Sequence, residues 1–154
     1  MTNVYEIIDK IKELLRNHPI VNQVTFGDIM SVDLNKTTMF PLSHFTINSA
    51  TMGRGTIVFS INFLFLDIVN HSKEFNSNDK GNREDDSNLI DVFNTQLQVA
   101  NYVATEFKRG DLYSDAFQLV NDPVCNMFKD RFENELAGWT MQVDIEVKNT
   151  ISAC

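Results

Sequence analysis

Met52, Gly53, Arg54, Gly55 and Thr56 are the first residues in this chain to suggest chemistry, because glycines beside a cation and a hydroxyl are the makings of a phosphate cradle. A P-loop asks for more: GxxxxGK followed by Ser or Thr, with the lysine on the phosphates and a helix opening at once to present its free amides. Here there is no lysine, and the following stretch has the composition of a strand. The two glycines therefore read as a hairpin loop, where positive backbone angles are needed.

The other constellations fail in a similar way. Asn76, Asn78, Gly81, Glu84 and Ser87 fall on the first, third, sixth, ninth and twelfth positions of a calcium loop. Position five would be Lys80, a cation inside the ligand shell, and position twelve would be Ser87 instead of the bidentate glutamate. A solvated acidic loop is the better reading. His18, His44 and His71 are dispersed, with no ligand-type neighbour at helical or strand spacing. Cys125 and Cys154 have neither metal spacing nor a local nucleophile signature, which points to free thiols made in a reducing compartment. There is no GxSxG, no dinucleotide fingerprint and no recognisable carboxylate pair. The expectation is a protein that is not an enzyme and has no cofactor and no metal.

Composition narrows the remaining classes. With 154 residues and 43% hydrophobic content, one domain spanning 1–154 with a proper core is expected. Thirteen basic against 21 acidic residues give a net charge of −8, which argues against a surface that grips nucleic-acid phosphates. No apolar run is long enough to span a membrane, and the opening MTNVYEIIDK lacks a basic segment followed by an apolar one.

The elements that must position any site are then read from periodicity. Val4, Ile7, Ile8, Ile11, Leu14 and Leu15 predict an amphipathic helix over 4–17, started by Asn3 with Glu6 and closed by Pro19. A short strand fits 23–26, and 27–39 is left unassigned. Ser43 to Ser49 and Thr56 to Val69 predict a long antiparallel hairpin looping through 50–55. In its second arm Ile57, Phe59, Ile61, Phe63 and Phe65 share one face, while Val58, Ser60, Asn62, Leu64 and Leu66 share a second that turns apolar at one end. The hairpin is expected to project as a ribbon against a neighbouring subunit. Residues 71–87 are almost wholly polar and read as a mobile excursion. Leu89 to Phe107 repeats with a helical period, preceded by Asp85, Asp86 and Ser87 and ended by Lys108, Arg109 and Gly110. A strand over 124–130 follows.

The chain closes on an unbroken alternation: Trp139, Met141, Val143, Ile145 and Val147 on one side, Thr140, Gln142, Asp144, Glu146 and Lys148 on the other. Such a pattern needs a packed layer under its apolar face and water, or a wet partner, over its charged one. The expected class is α+β, an antiparallel sheet with a long β-hairpin packed against two helices, in the order α-β-β-β-α-β-β. Trp139 is read both as core under the last strand and as an interface anchor; Phe59 faces the same choice. Met52 and Arg54, at the ribbon tip, are interface candidates.

This order, together with Phe132, Glu133, Asn134, Glu135, Leu136, Ala137, Gly138 and Trp139 ahead of the alternating strand, resembles the tail terminator or tail completion family of tailed bacteriophages. The resemblance covers most of the chain as element order, and its locally specific part is that C-terminal stretch. It implies a virion protein, assembled in the host bacterial cytoplasm, that forms a homo-oligomeric ring of sixfold or twelvefold symmetry. Its implied partners are the portal or connector and the tail proteins, with genomic DNA passing through the lumen without specific binding. Neck rings of short-tailed crAss-like phages are an alternative within the same resemblance. Asp144 and Glu146, or the acidic excursion, are the candidates for facing the lumen, where negative charge lets DNA pass without sticking. A protein-interaction adaptor outside the virion, and an enzyme, stand as rival classes.

Overall fold

A computed structural model describes residues 4–28, 39–69, 88–109, 117–131 and 135–149. Two helices lie against one face of a six-stranded sheet, an α+β architecture. The elements are α1 (Val4–Arg16), β1 (Gln23–Phe26), β2 (Leu42–Met52), β3 (Thr56–Ile68), α2 (Leu89–Arg109), β4 (Gln118–Leu119), β5 (Val124–Arg131) and β6 (Glu135–Lys148). Across the sheet the order is β1-β2-β3-β6-β4, with β5 sharing the outer side of β6 with β4. The expected order gains one short strand, β4, after the second helix. The sheet is also mixed, since β1 runs parallel to β2 and every other pairing is antiparallel.

The long alternations decide which face is covered. Ile57, Phe59, Ile61, Phe63 and Phe65 of β3 pair row by row with Val147, Ile145, Val143, Met141 and Trp139 of β6, so both apolar sets share one face. Onto it α1 lays Ile7, Ile11, Leu14 and Leu15, and α2 lays Val99, Ala100, Val103 and Phe107. These spacings of three, four and seven residues form one stripe on each helix. Full burial of each larger side chain is worth roughly 1.5–3 kcal/mol, which makes this layer the main source of stability. Phe63 sits at its centre, against the rings of Phe45, Phe65 and Phe107.

Among the described residues no element covers most of the reverse face, and one end of it is closed, in line with the apolar drift of the second hairpin face. There Leu42, Leu66 and Leu136 are buried, with Phe40, Leu64, Ile68 and Phe128 packed on them.

Two expectations about the hairpin need correction. Strand geometry continues through Met52, so the turn is only Gly53–Gly55; the Gly53 amide donates to the Thr56 carbonyl at 2.8 Å and Gly55 takes a positive φ of 102°. Nor does the hairpin project alone. The fourteen-residue β6 pairs with the thirteen-residue β3 from Thr56↔Lys148 to Ile68↔Leu136, and β4 pairs with β6 at Ile145 and Glu146, so the expected ribbon is built into the sheet along one side. A bulge between Ile47 and Ser49 interrupts β2 within it.

α2 begins one residue after Asn88, whose carbonyl accepts from the Val92 amide at 2.9 Å and whose side-chain amide donates to the Ile68 carbonyl. Asn88 thus joins the end of β3 to the start of the helix. The excursion 71–87, with Asp85, Asp86 and Ser87, lies outside the described residues, as do Asn3, most of 27–39, Phe132 to Asn134 and Cys154.

Candidate functional site

The sheet sorts the candidate residues by face. Met52, Phe59 and Trp139 all stand on the helix side, because Met52 pairs with the buried Ile57 and Trp139 with Phe65. Asp144 and Glu146 stand on the open side, opposite Ser60 and Val58. Arg54 is exposed in the turn.

Within the helix-side set the surroundings differ. Met52 is 70% exposed although its row neighbours Ile57 and Val147 are buried, because it lies on the stretch of β2 that no described strand flanks. Phe59 is core, 6% exposed, so its ring is not presented to a neighbour. Trp139 is half-buried: its indole N–H donates to the Phe93 carbonyl at 2.8 Å, and the Phe93 ring meets it edge-on at 6.0 Å. That bond ties α2 to β6 and satisfies the polar end of a large apolar side chain. Surface presentation on this side falls to Met52 and to Arg54 in the turn.

The open face carries a feature that no sequence motif signals. A trough of about 560 Å³ runs across it, lined by Asp28, His44, Asn62, Asn126, Thr140 and Gln142 among others. Its lining follows from register: His44, Leu64, Thr140 and Asn126 form one cross-sheet row, and Thr46, Asn62 and Gln142 the next. The residues are far apart in sequence, and only strand pairing brings them together.

His44 is the titratable group with the most constrained surroundings. It is 3% exposed, with Nδ1 2.7 Å from the Thr25 hydroxyl and Nε2 2.8 Å from the Gly27 carbonyl. A carbonyl only accepts, so in the neutral ring Nε2–H donates to Gly27 and the Thr25 hydroxyl donates to Nδ1. Burial pushes its pKa down, opposed by the Gly27 hydrogen bond and the nearby Asp28 charge. With both nitrogens hydrogen-bonded, the imidazole braces the exit of β1. The trough offers amides and hydroxyls for hydrogen bonding, with Asp28 and His44 among its lining residues.

The remaining suspects are inert by similar arguments. Cys125 is half-buried against the core and burial pushes its thiol up, away from thiolate reactivity. His18 accepts the Ile20 amide at Nδ1 and meets the Tyr102 ring edge-on, and burial lowers its pKa. Among the described residues no three His, Cys, Asp or Glu side chains gather as a metal site, and no helix is long and apolar enough to cross a membrane.

No protein-family model and no curated protein matches this sequence.

One further arrangement concerns the sheet margins. β1 covers β2 only from Leu42 to Phe45, so among the described residues no strand pairs with the outer side of β2 beyond that point. On the opposite margin β5 pairs with β6 alone. Unpaired edges of this kind are normally guarded by charge, proline or a bulge. The Asn48 bulge guards the first part of the free β2 edge, whereas Ser49 to Met52 follows it with no charged residue.

Proposed function

We propose that this chain is a ring-forming structural protein of a tailed-phage particle, placed at the head–tail junction or the top of the tail, where it connects portal or connector to tail and lets DNA through. The observation that carries this reading is an unpaired sheet margin: among the described residues no strand lies beside Ser49–Met52 of β2, this stretch has no charged residue, and Met52 and Arg54 are exposed at its end. Such an edge in a lone subunit invites uncontrolled pairing, and a ring answers this by giving each edge a neighbour and closing by rotation. The element order and the Leu136, Ala137, Gly138 and Trp139 run add the resemblance described above. Asp144 and Glu146, on the open face away from the helices, suit a lumen that repels DNA phosphates.

The test combines native mass measurement of the purified chain with its detection in purified virions. A closed oligomer of six or twelve copies that is present in particles is the expected result. A monomer absent from particles overturns the reading, and a reconstruction with Asp144 and Glu146 on the outer wall overturns the lumen assignment.

A further inference from the structure

We infer that Ser49–Met52 of β2 pairs antiparallel with Val124–Phe128 of β5 in the next copy of this chain, joining subunits head to tail through a continuous sheet. This rests on the ring reading and goes beyond it by naming both halves of the contact.

Three observations select this partner. The first is composition. Ser49, Ala50, Thr51 and Met52 carry no charge, and neither do Val124, Cys125, Asn126, Met127 and Phe128, so each margin has one stretch without the usual protection of an edge strand. The two stretches are of nearly equal length.

The second is exposure on both faces. Val124 is 66% exposed on the open side, opposite Gln142, and Met127 is 56% exposed on the helix side, opposite Trp139. The β2 stretch mirrors this, with Thr51 exposed on the open side and Met52 on the helix side. An edge strand with uncovered apolar side chains on both faces gains from a neighbour that extends the sheet, since such a neighbour lays side chains along both.

The third is direction. β2 opposes β3, β3 opposes β6 and β6 opposes β5, so β5 runs opposite to β2. A copy carried sideways along the sheet therefore presents β5 antiparallel to β2 and keeps all helices on one side. Antiparallel ladders are the slightly more stable kind. Within one chain Val124 stands on the row of Thr46, below the free stretch of β2. The incoming copy must then rise along the strands by about six residues, roughly 20 Å, so the strands cross the ring tangent obliquely. Because the two surfaces differ, the contact is heterologous and propagates until it closes.

The test uses two variants of the full chain whose substitutions fall on exposed positions and spare the core. One carries Thr51→Lys and Met52→Lys, the other Val124→Lys and Met127→Lys. By light scattering after size exclusion, wild type is expected as a closed ring, and each variant alone as a folded monomer with unchanged circular dichroism. Mixed one to one, the variants are expected to form a dimer of one of each, because each keeps the edge the other has lost. Rings that survive either pair of substitutions overturn the edge assignment and leave the ring reading standing. A homodimer of either variant alone shows a two-fold contact through its intact edge and also overturns the assignment. A wild-type chain that stays monomeric at high concentration and is missing from particles overturns both.

Discussion

Replacing Gly138 with alanine tests the packing of β3 on β6 more sharply than any truncation of the core. Gly138 lies opposite Leu66 on one side and Phe128 on the other, so both margins of β6 are bonded there. A Cβ built on Gly138 would overlap the Phe65 carbonyl oxygen and stand 2.8 Å from its carbon and 3.0 Å from the Leu66 Cα. All three atoms are backbone of a strand paired on both sides, so no flexible side chain can move aside. Relief needs a backbone displacement of about an ångström, with overpacking strain of roughly 1–3 kcal/mol. One or two weakened ladder hydrogen bonds add about 1 kcal/mol each. Against this, alanine restricts the unfolded chain and returns about 0.4–1 kcal/mol. The expected net loss is about 2–4 kcal/mol, a large part of the roughly 5–15 kcal/mol typical of a domain. In urea, with a slope of about 2 kcal/mol/M, the midpoint should fall by about 1–2 M. Gly53→Ala is the control: its Cβ would meet the Thr56 carbonyl oxygen and hydroxyl at 3.1 Å in an exposed turn, and a loss below about 1 kcal/mol is expected. A Gly138→Ala midpoint indistinguishable from wild type would refute the close-approach argument.

Other expectations concern titration and the lone tryptophan. His44 is held below its ordinary 6.5, so between its folded value and 6.5 the unfolded chain takes up a proton that the folded chain resists, and stability falls with falling pH in that window. His18 acts in the same direction. Melting temperatures from pH 7 to pH 5 should therefore drop less steeply in His44→Gln, and an unchanged slope would count against the burial assignment. Asp67 has the opposite sign: burial raises it above its ordinary 3.8, despite the Ile68 amide donating to its carboxylate, so stability falls as pH rises from 3.8 to the folded value and the full cost persists above it. Asp67→Asn should raise the urea midpoint at pH 7, with the gain vanishing below about pH 3.8; a variant less stable at pH 7 refutes this. Trp139→Phe removes the indole donor to Phe93 and should cost about 1–2 kcal/mol in urea titrations followed by circular dichroism, and a neutral effect would remove Trp139 from the α2–β6 contact.

The parts of the fold legible in the sequence are those where one face of an element is uniformly buried. Ile57 to Phe65 and Trp139 to Val147 alternate because a helix layer covers every second residue, and α1 and α2 keep their period because each lays one stripe on that layer. β1 stands where a short strand was expected, at Gln23–Phe26, but β4 is too short for a period to emerge, and the parallel pairing of β1 with β2 depends on a register that composition does not carry. The hairpin loop expected over 50–55, on the strength of its two glycines, is shorter, because Ala50 and Thr51 continue the ladder to Phe59 and Val58. Phe59 and Met52 occupy the same face of the hairpin, yet among the described residues β3 is flanked on both sides and β2 at Met52 on one, which separates a core ring from an exposed thioether. The trough was invisible for a different reason: His44, Asn62, Gln142 and Asn126 become neighbours through three separate registers.

The pairing of β3 with β6 over their whole lengths also shapes how the protein is made. β3 leaves the ribosome with its aromatic face complete, while the strand that covers its free side is separated from it by α2, β4 and β5. Until β6 is made, Phe59, Ile61, Phe63 and Phe65 lack the β6 side of their layer. Contacts between distant parts of a chain are slow to form, and uncharged aromatic strands left waiting are where aggregation begins. Expression yield should therefore respond more to mutations that delay β6 than to equally destabilising mutations in α1, whose contribution is complete before translation reaches the sheet's last strand.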